Sequence, residues 1–323
     1  MRVFRGFQHR ALASETALTI GNFDGMHRGH QAMLRHLLRV ARARQLVPTV
    51  LTFEPHPRDF FATRSGRTAQ APAHISTLRD KLCALRDVGV EQVVVLRFDQ
   101  RIAELTPQDF VERIVLQGLH ARYVLVGDDF RFGAARSGDF STLSAVLTAA
   151  GAQAERLPAV RQSDLRISSS AVRDALQAGD LQTAQLLLGR PYAISGHVIH
   201  GAKLGRQLGF PTLNLRFDRA RPALAGVFVA QVHGLAAQAL PAVASLGTRP
   251  AVETDGRMLL EVHVFDWSGD AYGKLVKVDL LHKLRDEAHY PDLARLTAAI
   301  AQDCAQARAW FARFARQTTR DRI

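Results

Sequence analysis

Two histidines three residues apart, His27 and His30, stand in the stretch GNFDGMHRGH at residues 21–30. On a helix that spacing puts both imidazoles on one face, with Cβ atoms about 5–6 Å apart. Gly21, Gly25 and Gly29 interleave with them, so the backbone can turn and approach a ligand closely. The unpaired amides of a first helical turn point into the same space. Backbone donors with two imidazoles suit a polyphosphate whose bridging oxygen gains charge as it departs. The stretch also reads as a glycine-rich loop with two surface histidines, and spacing leaves both readings open.

Other stretches could bind anions. VGDDFRFG, residues 126–133, sets Asp128, Asp129 and Arg131 between two glycines. ISSSAVR offers three hydroxyls and then Arg173, four residues after Ser169. That is an anion site in principle, or an ordinary serine cap. HGAKLGRQLGFPTLNL, residues 200–215, carries Gly201, Lys203, Gly205 and Arg206. Thr212 and Asn214 follow two apart, and on an extended chain they face the same way. Their hydroxyl and amide oxygens can ligate Mg²⁺. The plain alternative is an irregular loop with solvated charges. In LLEVHVFD, Glu261 alternates with apolar residues and by itself reads as the wet face of a strand.

The elements that must hold these residues show two periodicities. Before residue 185, ALTIG, VPTVLTF, VEQVVVLRF and YVLVG read as strands, separated by helix-sized segments. HQAMLRHLLRVARARQ puts Met33, Leu34, Leu37, Leu38 and Ala41 on one face. STLRDKLCALRDVG stops at Gly89, and Thr106 with Pro107 and Asp109 opens another helix. This alternation predicts a parallel sheet with helices on both faces and its ligand rim at the strand ends. DALQAGDLQTAQLLLG reads as two short helices bridging to the second half. There, YAISGHVIH, GVFVAQVHG, LPAVASLG, LLEVHVFDW and KLVKVDLLHKL alternate with period two, as a small antiparallel barrel does. A terminal helix follows, with Leu296, Ile300, Cys304, Ala307, Phe311 and Phe314 at helical spacing.

Composition narrows the class. The chain has 323 residues, enough for roughly two domains. Its two cysteines, Cys83 and Cys304, form neither a disulfide framework nor a metal spacing. The beginning of the chain lacks the apolar centre of a secretory signal, and no stretch is long and apolar enough to cross a bilayer. A cytoplasmic protein without membrane partners is expected. The formal charge of +12 favours anionic partners. The arginines are scattered, so phosphate-rich small molecules are expected rather than nucleic acid. An RNA-binding protein that reuses a nucleotide-binding fold is the rival reading. No Walker A pattern occurs.

GNFDGMHRGHQ, TFEPHP, VGDDFRFG and ISSSAVR together resemble the FAD synthetase module of bacterial bifunctional riboflavin kinase/FMN adenylyltransferases, within the nucleotidylyl transferase superfamily. The 200–215 stretch, GVFVAQV, SLGTRPAVE, LLEVHVFD and YGKLVKVDLLHKLRDE resemble the riboflavin kinase module of the same family. The resemblance spans nearly the whole chain. It implies a Rossmann-like α/β domain over 1–185 and a Greek-key barrel with a terminal helix over 186–323. It implies an enzyme that makes FMN from riboflavin and ATP, then FAD from FMN and ATP, with Mg²⁺ serving both steps. His27 and His30 would hold the ATP phosphates, and Gly21, Asn22, Phe23, Asp24, Gly29, Asp129, Ser169 and Arg173 would line the nucleotide and flavin site. Gly201, Lys203 and Gly205 would form the kinase phosphate loop, Thr212 and Asn214 would hold Mg²⁺, Glu261 would be the base, and Arg285 would sit on a flap near the flavin. A monomer or weak homo-oligomer is expected, and a protein with one competent site is the nearest alternative. Two positions depart from the family pattern: Leu213, where relatives carry alanine, and Ala251, where threonine is common.

Overall fold

The computed structural model describes residues 1–12, 15–68, 71–162, 165–201, 204–216, 223–248 and 258–320. The chain divides into two compact units, Met1–Pro72 with Leu78–Ser168, and Ala73–Thr77 with Ser169–Ile323.

In the first unit, six parallel strands form one sheet: β1 (Arg2–Arg5), β2 (Thr16–Ile20), β3 (Val47–Glu54), β4 (Gln92–Arg97), β5 (Ala121–Gly127) and β6 (Gln153–Leu157). Their order is β1-β4-β3-β2-β5-β6. The helices are α1 (Arg28–Ala43), α2 (Pro57–Arg64), α3 (Leu78–Val88), α4 (Gln100–Ala103), α5 (Pro107–Asp109) and α6 (Phe140–Ala149). α5 is capped by Thr106 and runs on as a wider π-helix over Phe110–Gly118. Apolar residues on successive strand positions feed opposite faces. Ala17, Val93, Val95, Tyr123 and Leu125 join one core with Leu34, Leu37 and Ala41 of α1. Leu18, Ile20, Val94, Leu96, Val124 and Val126 join the other. Strands buried on both faces are what a helix-covered parallel sheet requires.

β3 lies on one side of β2 and β5 on the other. The winding therefore reverses between β2 and β5, and the loops leaving their carboxyl ends flank one crevice, the usual ligand position in open α/β sheets. Those loops are Gly21–His27 and the segment from Gly127. A short ladder, β7 (Arg161–Gln162) with β8 (Leu165–Arg166), precedes the serine run.

The second unit opens with α7 (Ser169–Gln177) and α8 (Leu181–Leu188). These are the helices expected to bridge the halves. Asp180 caps α8, left-handed Gly189 ends it, and α8 packs on barrel strands. The barrel comprises β9 (Tyr192–Ile199), β10 (Leu213–Arg216), β11 (Gly226–His233), β12 (Leu240–Thr248), β13 (Met258–Val264) and β14 (Leu275–Arg285). It closes in the order β10-β13-β12-β11-β14-β9, every pair antiparallel. A single turn, α9 (Leu204–Gln207), lies between β9 and β10, and α10 (Leu293–Arg320) ends the unit.

Alternation sorts the barrel residues. Leu260, Val262 and Val264 of β13 are buried, with the half-buried Glu261 and His263 between them. Outward-facing Val227, Val229 and Val243 pack with Phe265 against Cys304 and Ala307 of α10, joined by Ile300 and Phe311. The side chain of Phe314 lies outside the described residues.

Candidate active sites

The first site is built where β2 ends. The chain leaves Ile20, bends with positive φ at Phe23 (49°), Gly25 (85°) and Met26 (47°), and enters α1 at Arg28. Phe23 and Met26 are almost wholly buried in the core behind the loop, which anchors left-handed conformations that L-residues otherwise avoid. Asp24 and His27 are buried with them. His27 is the N-cap of α1, and its Nδ1 accepts the backbone N–H of His30 at 3.2 Å. Accepting at Nδ1 places the proton of the neutral ring on Nε2. The His27 and His30 rings stack at 3.6 Å with 16° between planes, and Phe23 stands 5.0 Å from His30. A Cβ on Gly29 would meet the His27 ring at 3.1 Å and the Ile167 carbonyl at 3.4 Å. The tight neighbour is the His27 ring, so glycine here leaves that ring its place at the helix start, while the segment leading to the serines lies at ordinary contact distance. Among the described residues, the buried Asn22 Oδ1 has no hydrogen-bond partner, an uncommitted acceptor beside the histidines in sequence.

Across the crevice, the loop after β5 carries Asp128 and Asp129. Both accept from Arg166 Nη2, at 3.0 and 3.3 Å. Met33 of α1 and Asp129 lie at ordinary contact distance from where a Gly127 Cβ would be. At the ends of β3 and β4, Phe53, Phe60, Phe61 and Phe98 form an edge-to-face aromatic group with centroids 5.4–5.8 Å apart. Such a group can receive a flat ring.

Ser169 and Arg173 belong to the second unit. Ser169 opens α7, and Arg173 Nε donates to the Ala73 carbonyl at 2.7 Å.

The barrel site lies on an outward strand face. Asn214 of β10 is directly opposite Glu261 of β13, which is directly opposite Ser245 of β12. Directly paired side chains share a face, with Cβ atoms about 4.5–5.5 Å apart. Leu213 pairs with buried Val262 and so turns the other way, as expected. Asn214 is 6% exposed, and among the described residues its Oδ1 has no hydrogen-bond partner. A Cβ on Gly201 would fall 2.5 Å from Asn214 Nδ2, and one on Gly205 would fall 2.4 Å from the Phe210 carbonyl and 3.4 Å from Thr212 Oγ1. The two glycines thus let this loop close against the Thr212–Asn214 segment. His263 Nδ1–H donates to the Pro211 carbonyl at 2.9 Å, pinning the same segment to β13. Lys203 and Ala251 lie outside the described residues.

Arg285 closes β14. Its Nε and Nη2 donate to the two carboxylate oxygens of buried Asp303 on α10, at 2.9 and 2.7 Å. This fork holds the guanidinium above its ordinary pKa. Among the described residues, no group of three or more His, Cys, Asp or Glu is arranged to hold a metal.

The family model for FAD synthetase matches residues 9–171, and that for riboflavin kinase matches residues 188–311. The chain is 43% identical over 313 residues to the bifunctional riboflavin kinase/FMN adenylyltransferase of Escherichia coli K12, covering 96% of this chain and 98% of that one. The chain belongs to the bifunctional riboflavin kinase/FMN adenylyltransferase family. The relative from Pseudomonas fluorescens is 42% identical over 96% of this chain and 97% of its own length. A crystal structure described as a macrolide-efflux protein from Streptococcus pneumoniae superposes with a TM-score of 0.76 at 29% identity, over 95% of this chain and 99% of that one. No helix among the described residues is long and apolar enough to cross a membrane.

For a riboflavin kinase/FMN adenylyltransferase, the structure brings His27 and His30 together with Gly29 and the Asn22–Asp24 turn, and Asn214 together with Glu261, Gly201, Gly205 and Thr212. Sequence reasoning missed Arg166, the aromatic group, Ser245 and His263. Arg166 stands two residues before the serines and could have been paired with the two aspartates by charge. Ser245 and His263 become visible only through strand register.

Proposed function

We propose that this chain performs two consecutive steps of flavin cofactor synthesis: riboflavin and ATP give FMN and ADP, then FMN and ATP give FAD and pyrophosphate. We place the boundary between the activities at residue 185/186. The gap between the matched segments, 171 to 188, supports it. The observation that carries the reading is that, among the described residues, each unit holds a buried amide oxygen with no hydrogen-bond partner, on Asn22 and on Asn214. Buried acceptors are ordinarily satisfied, so these two suit a ligand.

In the adenylyltransferase, the FMN phosphate oxygen attacks the α-phosphorus of ATP in line with departing pyrophosphate. No covalent help is needed, and positioning with charge stabilisation suffices. His27 and His30 hold the ATP phosphates, while Gly21, Asn22, Phe23, Asp24, Gly29 and Asp129 shape the nucleotide and flavin site. The edge-to-face phenylalanines are suited to the isoalloxazine. Ser169 and Arg173 are assigned phosphate contacts on their motif.

In the kinase, the ribityl 5′-oxygen bonds to the γ-phosphorus, ADP leaves, and Glu261 takes the hydroxyl proton. Gly201, Lys203 and Gly205 form the phosphate loop. Thr212 and Asn214 are the residues to hold Mg²⁺, and the uncommitted Asn214 Oδ1 fits that role. Bound Mg²⁺ supplies neutralisation of phosphate charge. Arg285 is assigned to the flavin end of the site. ATP, riboflavin and FMN are the partners, without nucleic acid or membrane, in the cytoplasm, as a monomer or weak homo-oligomer.

Purified protein incubated with riboflavin, ATP and Mg²⁺ should show FMN first and FAD later when the flavins are separated over time. FMN alone, or no conversion, would defeat the reading.

A further inference from the structure

Among the described residues, Lys81 is the only buried lysine or arginine, at 6% exposed. It sits on α3 between Leu78, Leu82 and Leu85, which face the core that also contains Phe23 and Met26. Three residues after Leu78 and four before Leu85, Lys81 lies on that same apolar face. An ammonium there is costly unless a carboxylate compensates it. Asp24, set between Phe23 and Met26 in the chain, is 3% exposed. Burial lowers the Lys81 pKa from its ordinary value, and the charge of Asp24, then that of Glu54, opposes the shift. Two buried, oppositely charged side chains thus share one core, close enough for the charge of one to act on the other, behind a turn that bends through left-handed Phe23 and Met26. Such conformations persist only where the surroundings over-determine them.

We propose that Lys81 is a positioning residue of the adenylyltransferase: its ammonium holds the Asp24 carboxylate and, through it, the turn that delivers His27 to the start of α1. The proposal rests on the reading of that centre given above. Lys81 itself acts from the core side of the loop, through Asp24 and not on substrate.

The test compares full-length Lys81→Met, Asp24→Asn and the double variant, measuring kcat and KM for FAD formation from supplied FMN, the rate of riboflavin phosphorylation, and Tm. Lys81→Met should lower kcat for FAD formation about 100-fold and leave phosphorylation unchanged. It should also lower Tm, because Asp24 stays buried without its counter-charge. The double variant should recover Tm relative to Lys81→Met, with a kcat no lower than that of Asp24→Asn. If Lys81→Met does not fold, the double variant still should. Lys81→Met with the parental kcat, or losses of Tm and kcat that simply combine in the double variant, would overturn the proposal. A parent protein that forms no FAD would defeat the reading of the centre, while the Tm coupling would still decide whether Lys81 and Asp24 act on each other.

Discussion

Gly201→Ala should disable the kinase without unfolding the barrel. Gly201 is not left-handed, so alanine adds no backbone strain. The cost comes from collision: the new Cβ falls 2.5 Å from Asn214 Nδ2 and 2.6 Å from its Cγ and Oδ1. Ordinary contact is about 3.5 Å, so the amide must retreat by roughly 1 Å. Asn214 has little room to do so. It is 6% exposed, and its strand is paired on both sides, with β9 and with β13. A misplacement of that size in a reacting centre costs about 100-fold in rate, or about 2.7 kcal/mol in activation free energy. The assay is the initial rate of FMN formation from riboflavin at saturating ATP, beside FAD formation from supplied FMN. The first should fall about 100-fold and the second should hold. A Gly201→Ala protein that phosphorylates riboflavin within about threefold of the parent would refute the argument that this glycine exists to admit Asn214.

Three further outcomes are expected. Asn22→Ala removes a buried oxygen that has no hydrogen-bond partner among the described residues, so Tm should stay level or rise while FAD formation falls at least about tenfold; a lower Tm with parental activity would contradict this. Asp180→Ala should cost about 1 kcal/mol in denaturant unfolding, as loss of an N-cap does. Its hydrogen bonds from Thr183 lower the Asp180 pKa, so the cap's contribution is full above the unfolded carboxyl pKa and disappears as pH falls through the depressed folded value; a pH-independent difference between Asp180→Ala and parent would contradict that. Burial pushes the Cys304 thiol up to about 11, whereas Cys83 is partly exposed. Peptide mapping after alkylation at neutral pH should therefore find Cys83 modified and Cys304 modified only after unfolding.

The sequence made the buried strands legible and the edges illegible. β2, β3, β4 and β5 are runs of β-branched and apolar residues because both their faces are covered. β1 buries only Phe4, and β6 is half charged, so each edge strand looks like surface. β10 was hidden for another reason: LNLR is short and lies in a segment that the glycines and Phe210-Pro211 mark as loop. The helical faces of α1 and α10 followed from spacing, since Leu34, Leu37 and Ala41, and Cys304 and Ala307, do bury. The π-helical turn over Phe110–Gly118 carries no such signature. In the candidate sites, glycines and histidines announced themselves by local spacing. Residues that act across strands or through the core did not. Ser245 meets Glu261 only in register, Asp303 is far from Arg285 in sequence, and Lys81 looks in sequence like an ordinary solvated helix charge.

The most direct test of a division of labour between the two units is a crossed assay of His30→Ala and Glu261→Gln, each measured for both steps. His30→Ala should lose FAD formation by roughly 100-fold or more and keep riboflavin phosphorylation. Glu261→Gln should do the reverse. If either folded variant loses both activities together, or neither, the assignment of one reaction to each unit is wrong.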